Sequence, residues 1–168
     1  MKQEYAYWIA LAHLLKMKTA RKNELIVRFF EEKLNIIDFF HCEVSDWNKL
    51  FLLDENEIEL LKNVKKELPN YSFLVEDLLE QGYDIIPIIS PDYSPIMKNN
   101  LKRAYSPPLI YTKGNKQIMK ENSVAIVGSR KADNISLNFT DNIAKIVCSI
   151  VYMFVTVFTK LIQTGGAK

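Results

Sequence analysis

Residues 123–131 hold the side chains with the clearest chemical purpose in this 168-residue chain. Ser123-Val124-Ala125-Ile126-Val127 is a short apolar, β-branched run, and Gly128-Ser129-Arg130-Lys131 follows it directly. An apolar run bounded by a polar segment and a glycine predicts an interior parallel strand. The glycine lets the backbone approach a ligand closely, and the next amides can point at an anion from the first turn of a following helix. Ser129, Arg130 and Lys131 add a hydroxyl and two cations. The chemistry of such a turn is phosphate binding. A plain strand-to-helix turn carrying a stray basic pair has the same local pattern, so these residues alone leave both readings open.

The elements that would position the turn lie upstream. Leu109-Ile110-Tyr111-Thr112-Lys113 predicts a strand ending in Gly114-Asn115, and the rigid Ser106-Pro107-Pro108 before it disfavours helix. Ile85-Ile86-Pro87-Ile88-Ile89 predicts another strand, followed by Ser90-Pro91-Asp92-Tyr93-Ser94-Pro95 and then residues 96–102. Charge is unevenly spread along the chain. From Asp54 to Glu80 there are eight acids and three bases, whereas from Lys98 to Lys131 there are eight bases against the single acid Glu121. Within that block Lys98, Lys102, Arg103, Lys113 and Lys116 are candidate supporting contacts for a phosphate backbone, with affinity that falls as salt rises. A solvated surface between short strands is the alternative reading. Tyr93, Tyr105 and Tyr111 interleave with these cations, a spacing compatible with base stacking.

The order of these motifs resembles a known family. An apolar strand is followed by Asp92-Tyr93-x-Pro95, then by Pro107-Pro108-Leu109-Ile110-Tyr111 with Gly114-Asn115, then by Val124-Ala125-Ile126-Val127-Gly128-Ser129-Arg130-Lys131. This resembles the N-terminal half of the DNA-processing protein A (DprA/Smf) family, over about residues 5–148 and most strongly from Asp92 to Lys131. The resemblance implies a bacterial single-stranded DNA-binding recombination mediator of natural transformation that loads the recombinase RecA. It implies no catalysis and no cofactor. By matching position it assigns the DNA pocket to Gly128, Ser129 and Arg130, with Lys131 beside them. A nucleotide-cleaving phosphoribohydrolase shares the Gly-Ser turn and is the rival from another class, but the Pro-Gly-Gly-x-Gly-Thr loop it requires does not occur here. An inactive remnant or an interaction module is the third reading.

The chain also departs from the family pattern. Where the family continues with Ser or Thr, an aromatic and a glycine, this chain has Asp133, Ile135 and Ser136. A carboxylate there repels an anion, or else caps a helix and complements its dipole. After Cys148 the family's Ser-Gly-x-Ala-x-Gly-Ile-Asp segment is not found. The 14 uncharged residues from Ile146 to Thr159 fall short of the roughly 20 that span a bilayer as a helix. Their composition suits a buried strand or helix, and a frameshift or premature stop would explain the loss of pattern; the last reading is favoured. On it, the family's dimer interface is missing.

Residues 4–81 predict four or five short helices. Tyr7, Trp8, Leu11, Leu14 and Leu15 recur at helical spacing, as do Leu25, Ile26, Phe29 and Phe30, and Asp54-Glu55-Asn56-Glu57 reads as an N-cap with an acidic first turn. By resemblance this is a small sterile-alpha-motif or helix-hairpin-helix domain. The stretch Lys16–Lys22 offers four cations but no glycine, so it does not support a backbone-amide phosphate clamp. Cys42 and Cys148 lack metal-ligand or disulfide spacing, and neither His13 nor His41 has an Asp or Ser at catalytic spacing. With no signal-peptide pattern, the expectation is a cytoplasmic protein without membrane contact. The expected fold is α/β: an all-helical domain over 1–81, the start of an incomplete Rossmann-like DNA-binding domain over 82–148, and an atypical apolar tail over 149–168.

Overall fold

The computed structural model describes residues 2–121, 124–126, 133–150 and 154–156. Two compact units divide it, Met1–Met119 and Lys120–Lys168. The first opens with six helices: α1 (Lys2–Ala12), α2 (Thr19–Glu31), α3 (Ile36–His41), α4 (Val44–Lys49), α5 (Glu55–Lys66) and α6 (Leu68–Glu80). Strand β1 (Tyr83–Pro87), helix α7 (Pro95–Tyr105) and strand β2 (Leu109–Lys113) follow, and a 3-10 turn covers Lys116–Lys120.

Helix α1 is the centre of this unit because its sequence has no polar face. The six consecutive residues Ala6 to Leu11 are all buried, which requires neighbours on every side. Those neighbours are α3, α6 and β2. Helices α2 and α5 are amphipathic in the ordinary way and bury Leu25, Ile26 and Phe29 from the one, Ile58 and Leu61 from the other. Phe39 joins the layers, stacking edge-on against Phe51 at 4.9 Å and lying 5.5 Å from Phe29.

The helix ends are set by side-chain chemistry. Asp54 caps α5 through a reciprocal capping box: the Glu57 amide donates to its Oδ1 at 2.8 Å, and its own amide donates to Glu57 Oε2 at 3.2 Å. Asn35 and Asp38 do the same for α3. The cap read from Asp54–Glu57 is therefore present, while the helical region is divided into six helices rather than four or five. Gly82, at φ +79°, turns the chain out of α6 and into β1, a conformation side chains rarely adopt.

Strands β1 and β2 pair antiparallel, Tyr83 opposite Lys113 and Pro87 opposite Leu109. This differs from the parallel arrangement expected for the opening of a Rossmann-like sheet. Ile85 and Ile86, on opposite faces of β1, are both buried, since the pair is covered by helices of the first unit. The first compact unit accordingly includes both strands and runs to Met119.

The second unit contains strand β3 (Val124–Ile126), helix α8 (Asn134–Ile150) and strand β4 (Phe154–Thr156). Strands β3 and β4 are parallel, Val124 opposite Phe154 and Ile126 opposite Thr156, so the unit is a β-α-β crossover. Part of the apolar tail thus forms a strand.

Trp8 is 1% exposed at the centre of the first unit. Trp8→Ala should cost about 3–5 kcal/mol, as large-to-small core substitutions do. Phe73→Ala, on a ring 71% exposed, should fall within about 0.5 kcal/mol of wild type. Urea unfolding of both variants checks the contrast.

Candidate nucleic-acid interface

Two places in the fold bear on phosphate binding, and each belongs to its own unit. In the second unit β3 ends at Ile126 and α8 starts at Asn134. The connection between a parallel strand's C-terminal end and the next helix is where α/β folds bind anions. Gly128, Ser129, Arg130 and Lys131 lie in that connection and outside the described residues. Asp133 is described: its Oδ1 accepts the Ser136 amide at 2.7 Å, and that bond holds its carboxyl below the usual range. It is a helix cap, the second of the two roles open from sequence. As a cap it also places a negative charge at the end of α8 where an anion would otherwise be attracted.

In the first unit the five supporting cations fare differently. Lys116 is engaged by carboxylates, 2.8 Å from Asp92 and 3.6 Å from Asp84, and the Asp92 contact raises its pKa. Lys113 lies over the Tyr83 ring, 5.2 Å from its centroid. Lys98 donates to the Ile88 carbonyl at 3.3 Å. Lys102 and Arg103 are exposed and adjacent. Lys98, Lys102 and Arg103 come together at the rim of a groove of about 530 Å³. Its walls include Ile26, Val27 and Phe30 of α2 and Ile88 and Ile89 beyond β1, with the Glu31 carboxylate at one edge.

The rim is built by a break in α7. Lys102 has φ +53° and ψ −169°, a conformation that glycine adopts readily and lysine does not. Asn23 holds the chain there: its buried Nδ2 donates to the Arg103 and Ser106 carbonyls, both at 2.8 Å, while the Ser106 amide donates to the Lys102 carbonyl at 3.1 Å. Sequence reasoning missed Asn23. Its signal was position, since it lies three residues before Ile26 and therefore on the apolar face of α2.

The motif residues Asp92 to Pro95 and Ser106 to Tyr111 serve largely to hold one another. The Tyr93 hydroxyl donates to the Pro107 carbonyl at 2.9 Å, and burial pushes its pKa up to about 12. Ser94 caps α7 by accepting the Met97 amide at 3.2 Å, and its hydroxyl donates to the Met119 carbonyl at 2.7 Å. Tyr111 meets His13 at 3.0 Å. Of the three tyrosines interleaved with the basic block, Tyr105 alone presents most of its ring to solvent, at 75% exposure.

The cations of residues 16–22 divide similarly. Arg21 forms a fork with Glu57, Nε to Oε1 at 2.8 Å and Nη2 to Oε2 at 2.9 Å, and also donates to the Leu52 carbonyl at 2.9 Å. Lys22 is buried and donates to the Ala12 carbonyl at 2.6 Å, closing the C-terminus of α1. Lys16 and Lys18 are exposed. Among the described residues there is no cluster of His, Cys, Asp and Glu that could hold a metal ion, and no helix long and apolar enough to cross a membrane.

Residues 84–156 match the family model of DNA recombination-mediator protein A. Over that segment the chain is similar to this family. The match begins in β1 and runs through α7, β2, β3 and α8 into β4, past Cys148, where the resemblance in the sequence ends. Comparison with curated proteins and with solved structures gives no match.

Two outcomes test this geometry. Lys102→Gly should leave stability unchanged or raise it by up to about 2 kcal/mol, because relief of about 1–3 kcal/mol of backbone strain outweighs glycine's added unfolded-state entropy. Asn23→Ala should cost about 1–3 kcal/mol by leaving buried carbonyls unpaired. Thermal melts resolve both. His13 gives a pH signature: burial, then the nearby Lys22, lowers its pKa below 6.5. The unfolded chain therefore binds the proton more tightly, and this contribution to stability is present above pH 6.5 and lost as pH falls through the lowered value. Denaturation midpoints of His13→Gln should fall less steeply than wild type between pH 7 and 5.

Proposed function

We propose that this chain binds single-stranded DNA as a recombination mediator of the DNA-processing type, delivering the strand to RecA in the cytoplasm without catalysing a reaction itself. The observation that carries the reading is the family match across β3, α8 and β4, the β-α-β unit in which Gly128-Ser129-Arg130-Lys131 lie in sequence between β3 and α8. On this reading the unit is a piece of a Rossmann-like domain. Gly128 lets the backbone approach a phosphate, Ser129 contributes a neutral hydrogen bond, and Arg130 contributes a charge-assisted, bidentate contact that lysine cannot reproduce. Lys131 supplies a second charge. Asp133 weakens the site, since its carboxylate occupies the helix end that a phosphate would share.

Fluorescence anisotropy with labelled oligothymidine at two salt concentrations tests the proposal. Arg130→Ala should weaken binding by about 1–3 kcal/mol and make the salt dependence shallower by about one phosphate contact. Asp133→Ser should tighten binding, because serine keeps the cap while removing the charge. Indifference to both substitutions would reduce the turn to a structural connection.

A further inference from the structure

The groove between α2 and α7 is not part of the turn at residues 128–131, and its chemistry is of a different kind. Its lining includes the apolar Ile26, Val27, Ile88 and Ile89 and an aromatic ring, Phe30, which is 43% exposed and backed by Phe29 at a centroid distance of 5.0 Å. Its rim carries Lys98, Lys102 and Arg103. Among the described residues no carboxylate forms an ion pair with Lys102 or Arg103, whereas Lys116 has two such partners. The backbone at Lys102 is held in a conformation lysine disfavours, fixed by two hydrogen bonds from a buried asparagine. Strain maintained at the mouth of a groove is a feature of ligand sites.

The combination limits the occupant. A bare anion would satisfy the rim and leave Phe30 and Ile89 uncovered. An apolar peptide would cover the floor and leave the cations without counter-charge. An unstacked nucleotide satisfies both, its base lying on the aromatic ring and its phosphate facing the rim. We infer that the α2–α7 groove seats one nucleotide of a single DNA strand, a second contact in addition to the Gly128–Lys131 turn. The inference rests on the single-stranded DNA reading above. Glu31 opposes it electrostatically and sets the groove's affinity below what the three cations alone would give.

Binding of labelled oligothymidine, and of an abasic strand of equal length, to the full chain and its variants tests this. Lys102→Ala with Arg103→Ala should weaken oligothymidine binding by about tenfold or more, the loss of at least one charge-assisted contact. Phe30→Ala should weaken it by about fivefold or more, as lost base stacking does, and leave the abasic strand unaffected. Glu31→Gln should tighten both strands. All four residues are exposed, and matched thermal melts separate binding from folding. If Arg130→Ala weakens binding while the groove variants match wild type, the groove is not a DNA contact and the function proposed above stands. If the wild-type chain binds neither strand at low salt, both proposals fall.

Discussion

The buried amide of Asn23 is the constraint on which the rest of the first unit depends. Its two donors reach the Arg103 and Ser106 carbonyls, groups that a broken helix leaves without their usual partners. An apolar residue would fill the space but strand those carbonyls, at a cost of about 1–3 kcal/mol. With asparagine present, α7 can break at Lys102, the chain can turn into Pro107-Pro108, and β2 can return alongside β1. The helices and the strand pair are joined through a polar contact inside an apolar face, and this fixes their register more tightly than apolar packing alone would.

The same arrangement explains why counting charges along the sequence overstates the free cations. The excess between Lys98 and Lys131 is real, but charge acts where it is not already matched. Asp84 and Asp92 take up Lys116, the Tyr83 ring engages Lys113, and Lys22 and Arg21 are consumed in closing α1 and clamping α5. Acids outside the counted window do most of this, because antiparallel pairing sets Tyr83 opposite Lys113 and brings Asp84 within reach of Lys116. Among the described residues, Lys102 and Arg103 at the break in α7 form no ion pair.

The sequence was legible where local chemistry decides the structure. Asp54 and Glu57 declare a helix start by type and spacing, and the β-branched run at Val124 declares a strand. The pairing of β1 with β2 was not legible, because two short apolar runs fit a parallel or an antiparallel sheet equally well and only the helices covering them choose. Nor was the role of the Asp92–Pro95 motif, whose partners at Pro107 and Met119 lie far along the chain. Asp133 shows the intermediate case: both of its roles could be named from sequence, and a single backbone amide selected the cap.

The extent of the family segment carries a further physical lesson. It begins at residue 84, inside the first compact unit, and ends at 156 in the second. A segment matched as one piece is thus divided by packing. The reason lies in what each strand pair needs to cover it. Ile85 and Ile86 present apolar surface on both faces of β1, and a two-stranded sheet cannot bury both by itself, so β1 and β2 draw on α1 and α6. In the second unit β4 meets α8, the helix that connects it to β3. The helices that meet the strands lie before the matched segment in one unit and within it in the other. The Asp133 cap of α8 therefore lies inside the matched segment, while Lys102 and Arg103 take their backbone geometry from Asn23, a residue outside it.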